Sequence, residues 1–313
     1  MFSNKSKNAR AKASANRLAE KLEGRGYIRS PAVSAAFRNV PRHLFVPEVS
    51  VEQAYQDEVI PLQGSQKSGT SSSGASSASQ PAIVATMLEQ LDLEPGANVL
   101  EIGAASGYNA ALMANIVGKK GRVSTLEIDE ELVRRARRSL DEAGFERVEV
   151  VYADGGGGHP DNAPYDRIIL TAAAPDIAPA WHEQLSPDGR LVLPLELWSG
   201  LQVCVAFELA GDHLEGVAAQ WCGFVRLQGR SSFDDAEHAG ESVGKQARRG
   251  RSYSESTLEA RLRALRTVSM STSLPFPEWF GIRACPQEVS HEPGENEVCI
   301  DRPSYRFIIE HHK

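Results

Sequence analysis

The stretch "VLEIGAASGYNA", residues 99–110, decides how the rest of this chain is read. An apolar, strand-like run enters a glycine-bounded turn, and the turn leads into alanine-rich sequence of helical character. A glycine turn that opens a helix can cradle an anion or a ribose, because backbone approaches the ligand closely and N–H groups point at it. The spacing is Gly103-x-x-x-Gly107 and not the G-x-G-x-x-G of a dinucleotide turn. By itself the turn is ambiguous, since many α/β chains need a tight reversal there with no ligand in view.

Outward from it the pattern alternates. "ANVLEIG" reads as a buried strand and "YNAALMANIVG" as a helix closed by Gly118. "GRVSTLEID" is a second strand, and "DEELVRRARRSLDEAG" a helix with Asp129 as N-cap and Gly144 at its end. "VEVVYAD" and "YDRIILTAA" are a third and a fourth strand. They are followed by helix "APAWHEQL", turn "SPDG" and strand "RLVLPL". Such alternation with apolar strands implies an α/β fold with a parallel sheet covered on both faces. Ligands of these sheets bind at the carboxyl ends of the strands, which sets Gly103, Glu127, Asp154 and Thr171 along one edge.

Two of these residues narrow the ligand. Glu127 lies 127 − 103 = 24 residues after the first glycine, at the end of the second strand, where a carboxylate can accept from both hydroxyls of a ribose. Asp154 ends the third strand and can accept from an adenine amine, while Gly155 lets the ring lie against backbone. Each has a plainer reading, as a helix cap or an Asp-Gly turn. Together they describe an adenosine site without a pyrophosphate cradle, which fits S-adenosylmethionine better than NAD.

Residues 1–62 read as helical, with breaks at Gly24, Gly26 and Pro31; the acid-free basic run of the first nineteen residues reads as a solvated helix. "QGSQKSGTSSSGASSASQP", 63–81, reads as a flexible linker or as a loop that launches the helix "AIVATMLEQL", with Pro81 at a first helical position and Ser79 shortly before it open to a plain capping role. After Pro194 the sequence suggests antiparallel strands about the turn "AGDH". Residues 231–256 look like a loop, "TLEARLRALR" like a short helix, and "SYRFIIEHHK" like a terminal strand.

The composition excludes several classes. No apolar run approaches the ~18–20 residues that cross a bilayer. With 34 basic and 41 acidic side chains the net charge is −7, the wrong sign for a generic nucleic-acid binder. Cys204, Cys222, Cys285 and Cys299 form no C-x-x-C pair, so they read as reduced and structural; this implies a cytoplasmic protein and no metal site.

The blocks around the opening motif carry a resemblance. "VLEIGAASGYNAALMA", preceded by "NVPRHLFVP", "AYQDEVIPL" and "SQP" and followed by "PYDRIILTAAAP", "LSPDGRLVLPL" and "GFVRLQG", resembles the protein-L-isoaspartate (D-aspartate) O-methyltransferase family over residues 20–230. The resemblance implies a class I S-adenosylmethionine-dependent, Rossmann-like methyltransferase with N-terminal helices and a C-terminal extension. The expected units are an N-terminal helical region (1–62), a Ser-rich active-site loop (63–81), a methyltransferase core (82–230) and the extension (231–313). By position it implies that Gly103, Ala104, Ser106 and Gly107 wrap the cofactor, with Glu101 near the methionyl amine. Glu127 would hold the ribose, and Asp154 with Gly155 the adenine. Ser79 matches the active-site serine, with Ser77, Ala78 and Gln80 beside it on the substrate side. Thr171, Ala172 and Ala173 would line the floor.

The implied reaction is methylation of an aspartyl or isoaspartyl carboxylate of a peptide or protein, whose ester then closes to a succinimide (aspartimide). Three departures stand out: Ala105 occupies a position that is often glycine, the Ser-rich segment is long, and residues 231–313 run past the expected end. The enlarged substrate side favours a dedicated modified peptide of the lanthipeptide or graspetide kind, with general isoaspartate repair as the alternative. Two readings lie outside this chemistry. A catalytically inactive binding module is opposed by Ser79, Glu127 and Asp154. A nucleic-acid methyltransferase is opposed by the acidic charge and by the lack of an N-P-P-Y-like motif.

Overall fold

The computed structural model describes residues 2–62, 76–198, 201–211, 213–229, 280–286, 297–301 and 305–311. Four helices open the chain: α1 (Phe2–Gly24), α2 (Pro31–Asn39), α3 (Arg42–Phe45) and α4 (Val51–Ala54). In α1 the residues Ala11, Ala15, Leu18, Ala19 and Leu22 recur at helical spacing and are buried, while Lys7, Arg10, Lys12 and Arg17 are exposed. The basic run is thus the wet face of a packed helix. Ser30 caps α2 ahead of Pro31, and Ser50 with Gln53 forms a capping box on α4.

The helical reading of 1–62 fails at its end. Ile60–Pro61 is a short strand, β1, paired antiparallel with β2 (Ser77–Ala78) in the register Ile60↔Ala78 and Pro61↔Ser77. Pro61 cannot donate within a helix but can sit at the end of a two-residue ladder. Residues 63–75 of the Ser-rich segment lie outside the described residues, but its last part is no free tether: Leu62 N–H donates to Ser76 O at 3.0 Å.

Among the described residues a ten-stranded sheet forms the body. Its parallel half comprises β3 (Asn98–Ile102), β4 (Arg122–Glu127), β5 (Glu149–Tyr152), β6 (Tyr165–Leu170) and β7 (Leu185–Trp198). β8 (Leu201–Ala210), β9 (His213–Cys222), β10 (Phe280–Pro286), β11 (Glu297–Asp301) and β12 (Tyr305–His311) continue it antiparallel. The spatial order is β11-β12-β10-β9-β8-β7-β6-β3-β4-β5. Helices α5 (Pro81–Leu91), α6 (Tyr108–Val117), α7 (Glu130–Glu142) and α8 (Pro179–Glu183) connect and cover the parallel half. Successive β3 residues feed different cores: Val99 packs with the N-terminal helices, Leu100 and Ile102 with α8, β7 and β8. The strand order reverses between β3 and β6, which run parallel, so a crevice opens at their carboxyl ends.

Two readings need correction. The "SPDG" turn is no break before a strand, because β7 starts at Leu185. Tyr165 pairs with Leu185 and Arg167 with Arg190, so Ser186–Gly189 bulge out of one continuous strand. The N-cap of α5 is Gln80, not Ser79, and neither residue's side chain caps it. The cap comes from elsewhere in the chain: Asp57 Oδ1 accepts from Ala82 N–H at 2.9 Å.

The expected loop at 231–256 and helix at 257–266 lie outside the described residues. The terminal strand is present as β12. β10 joins β9 through Arg283↔Glu215 and Ala284↔Leu214, so the extension widens the main sheet. Among the described residues no helix is long and apolar enough to cross a membrane.

Candidate active site

The turn after β3 is stitched to β4 and β6. Gly103 and Ala104 N–H both donate to Leu126 O, at 2.9 and 3.0 Å, and Gly107 N–H donates back to Ala104 O at 2.7 Å. Thr171, just beyond β6, donates its hydroxyl to Gly103 O at 2.5 Å. That contact explains Gly103: its φ is +101°, and a Cβ there would stand 2.5 Å from Thr171 Oγ1. Thr171, expected to line the floor, therefore braces the cradle with its hydroxyl proton. Ala105 holds φ +45°, the left-handed region that a side chain adopts at a cost. Ser106 is buried, its hydroxyl accepting from Tyr108 N–H at 3.3 Å.

Glu127 closes the turn from the side. Its carboxylate accepts from Ala105 N–H at 2.9 Å, Ile128 N–H at 3.0 Å and Asp129 N–H at 3.1 Å. Burial raises its pKa, and these backbone donors oppose the rise. A carboxylate offers about four lone-pair sites, so about one is left for a ribose hydroxyl. The expectation of two such bonds narrows accordingly. Glu101 is fully buried and accepts from Thr125 Oγ1 at 2.6 Å and Asn109 Nδ2 at 2.8 Å. Burial, ahead of all else, pushes its pKa up to about 7; the two donors pull it down and neighbouring Glu127 adds to the rise.

At the end of β5, Asp154 Oδ1 accepts from Gly156 N–H at 3.0 Å. Gly229 lies against this carboxylate, so close that a Cβ would stand 2.5 Å from Oδ1. At Gly155 the packing by itself calls for glycine, because a Cβ would meet Ile102 Cγ2 at 2.3 Å. Its carbonyl accepts from Trp181 Nε1 at 2.8 Å. Beyond Thr171, Ala172 is buried, and Ala173 exchanges backbone bonds with the "GFVRLQG" segment. Ala173 N–H donates to Val225 O and Leu227 N–H to Ala173 O, both at 2.8 Å. That segment consequently runs beside the floor of the crevice.

The acceptor side is built from 76–80. Ser77, Ser79 and Gln80 are half-buried and Ala78 is buried. Gln80 Nε2 donates to Asp57 O at 3.2 Å. Arg42 Nη2 donates to Ser79 O at 3.0 Å, and Arg42 Nε to Ala54 O at 2.8 Å. Its guanidinium carbon sits 4.7 Å from the ring centroid of Tyr108, the first residue of α6. Arg42, Asp57, Tyr108, Asn109, Thr125 and Gly229 were not singled out in the sequence. A signal existed for the first: a lone cation among Pro41, Leu44, Phe45 and Val46 is costly to bury without purpose.

The glycine cradle, whose Gly103 has no room for a side chain, and the carboxylates at the ends of β3, β4 and β5 fit an adenosine-bearing cation such as S-adenosylmethionine. Comparison with known proteins agrees. The model of the Protein-L-isoaspartate(D-aspartate) O-methyltransferase family matches residues 13–232. A Methanopyrus kandleri protein-L-isoaspartate O-methyltransferase is 40% identical over 228 residues, 71% of this chain and 94% of that protein. The Archaeoglobus fulgidus protein-L-isoaspartate O-methyltransferase 2 is 46% identical over 179 residues, 57% of this chain and 77% of that one. A solved protein-L-isoaspartate O-methyltransferase superposes with TM-score 0.64 at 25% identity, covering 96% of this chain and 88% of its own. A Plasmodium falciparum protein described as a protein-L-isoaspartate O-methyltransferase, in complex with S-adenosyl-L-homocysteine, shares the fold, with TM-score 0.55 at 22% identity over 68% of this chain and 97% of that one. The chain belongs to the protein-L-isoaspartate (D-aspartate) O-methyltransferase family and is an S-adenosylmethionine-dependent methyltransferase.

Proposed function

We propose that this enzyme methylates the free carboxylate of isoaspartyl residues in peptides and proteins, with Ser79 as the residue that orients that carboxylate. One observation carries the reading: the Ser79 segment is tied by Arg42 to the helix that follows the glycine cradle, so acceptor and cofactor sides share one frame. When bound, S-adenosylmethionine supplies an electrophilic methyl group on a sulfonium.

The chain's own residues need no general base. An acceptor carboxyl with a pKa near ~4 is already ionised at neutral pH. The protein must hold one oxygen in line with the methyl carbon and exclude water, and positioning of this kind contributes several kcal/mol. Cys, His or Lys are not required, and the residues proposed to line the acceptor side are Ser77, Ala78, Ser79, Gln80 and Thr171. On the cofactor side Glu127 is assigned to the ribose, Asp154 with Gly155 to the adenine end, and Glu101 to the methionyl amine. Gly103, Ala104, Ser106, Gly107 and Ala172 form the walls.

The carboxylate oxygen forms a bond to the methyl carbon as the carbon–sulfur bond breaks, its electron pair staying on sulfur. In the resulting ester, methanol is a leaving group. The following backbone nitrogen attacks the ester carbonyl, gives up its proton and expels methanol, and water reopens the succinimide to aspartate or isoaspartate.

Preference for a dedicated modified peptide rested on the extension and the Ser-rich segment. An isoaspartate methyltransferase structure matches 96% of this chain, a span that reaches into residues 231–313, and this supports the repair reading over a dedicated peptide. The buried thiols Cys204 and Cys222 are not joined in a disulfide, which suits the cytoplasm.

The test is mass spectrometry with S-adenosylmethionine and two linear peptides that differ only in isoaspartate or aspartate at one position. Methylation or dehydration of the isoaspartyl peptide alone is expected. Reaction of neither, with cofactor still bound, would revive a dedicated peptide partner. Ser79→Ala is expected to lower kcat by about a hundredfold while cofactor Kd changes by less than about threefold. Equal loss in both would make Ser79 structural.

A further inference from the structure

We propose that Arg42 is a positioning residue for methyl transfer, a strut that fixes the Ser79 backbone relative to the first turn of the cofactor-side helix. The proposal rests on the assignment of Ser79 above.

Arg42 is completely buried, 0% exposed, and carries a charge into the interior. Three contacts hold it. Nε donates to Ala54 O, Nη2 donates to Ser79 O, and the guanidinium carbon sits 4.7 Å from the ring centroid of Tyr108. These join three separate segments: the end of α4, the acceptor segment, and the residue that follows Gly107, whose left-handed φ of +84° starts α6. A fork with donors on two sides suits this geometry, reaching both carbonyls while its carbon sits against a ring. An ammonium on a flexible stem cannot do both.

Stability alone does not account for such a residue. Buried cations are expensive, and apolar replacements of buried ionic groups are often neutral or stabilising. Arg42 keeps a further cost, because Nη1 is buried with no hydrogen-bond partner among the described residues. The groups that face it are Tyr55, Tyr108 and the carboxylate of Asp57, and Asp57 Oδ1 is engaged with Ala82 N–H. What Arg42 provides is a fixed distance between the segment that presents the acceptor and the turn that presents the methyl group. Methyl transfer is sensitive to that distance, since misplacement by about 1 Å can cost about a hundredfold.

The test is a double-substitution cycle in the full chain with Arg42→Lys and Ser79→Ala, read by turnover of the isoaspartyl peptide, cofactor Kd and amide hydrogen exchange. Arg42→Lys is expected to lower kcat by about tenfold or more, with cofactor Kd within about threefold. In the Ser79→Ala background the same change should cost less than about twofold, because the serine it serves is gone. Exchange should quicken at residues 77–82 and stay unchanged across α6. Additive losses, an equal fall in cofactor affinity, or unchanged exchange at 77–82 would overturn the proposal.

Should Arg42→Lys fail to fold, Arg42→Met, which keeps an apolar stem but removes both donors, carries the same expectations. If the native enzyme leaves the isoaspartyl peptide unmodified, the functional assignment fails. Exchange at 77–82, which needs no turnover, still decides whether Arg42 is the strut.

Discussion

Glu101 and Ala105 show how much a single residue in the cradle costs the fold. Glu101 has its carboxyl pushed up to about 7 by burial, against an ordinary value of 4.5. A carboxyl with a higher pKa folded than unfolded imposes no penalty below the lower value. The penalty grows as pH rises toward the upper value and is constant beyond it. Glu101→Gln lacks that penalty, so its stability advantage over the native chain should grow by about 1–3 kcal/mol between pH 4.5 and 7. Urea unfolding across that range checks it; a pH-independent difference would mean that Glu101 ionises normally. Ala105 pays for its left-handed φ of +45°, a conformation that costs a side chain about 1 kcal/mol. Ala105→Gly relieves this but adds unfolded-state entropy, so thermal stability should stay level or rise by up to about 1 kcal/mol. A drop larger than that would show that the methyl group, which packs on the core, outweighs the strain.

At the scale of elements, sequence signals worked where the partner was local. Asp129 was read as the N-cap of a helix and is one, its side chain accepting from Glu131 and Leu132 N–H. Gly118 ends α6 as expected. They failed where the partner was distant: Ser79 looked like the cap of α5, yet Asp57, from before the Ser-rich segment, takes that role. Asp57→Ala should therefore destabilise the protein by about 1 kcal/mol, the usual worth of an N-cap, although the residue lies in no helix. Chemical denaturation measures this directly, and an unchanged midpoint would show that solvent caps α5 equally well. The two-residue ladder of β1 and β2 was illegible for the same reason, since most of the Ser-rich segment lies between its strands.

Across the whole molecule, the extension is a continuation of the sheet. β10 meets β9 at two residue pairs, and Ile282, Ala284 and Phe307 are buried in one cluster with Phe207 and Leu214. These contacts lie on the far side of β7 from the glycine cradle after β3. A chain ending at residue 230 should lose thermal stability, because it uncovers Phe207 and Leu214, yet bind S-adenosylmethionine with Kd within about threefold of the full chain. Calorimetry on the shortened chain decides this. Loss of cofactor binding would mean that the extension shapes the cofactor site as well as the sheet.

The sequence by itself determined the alternating parallel half, the cradle between Gly103 and Gly107, and the acids at the ends of the strands. Those features are written in periodicities and spacings within about thirty residues, which local steric and hydrogen-bonding rules fix. Only the tertiary structure decided what each site residue is bonded to. Thr171 turned out to brace Gly103, Glu127 to spend most of its acceptor capacity on backbone, and Arg42 to reach Ser79. Such pairings join positions far apart in the chain. They are set by which segments the folded sheet brings together, and no spacing along the sequence encodes that.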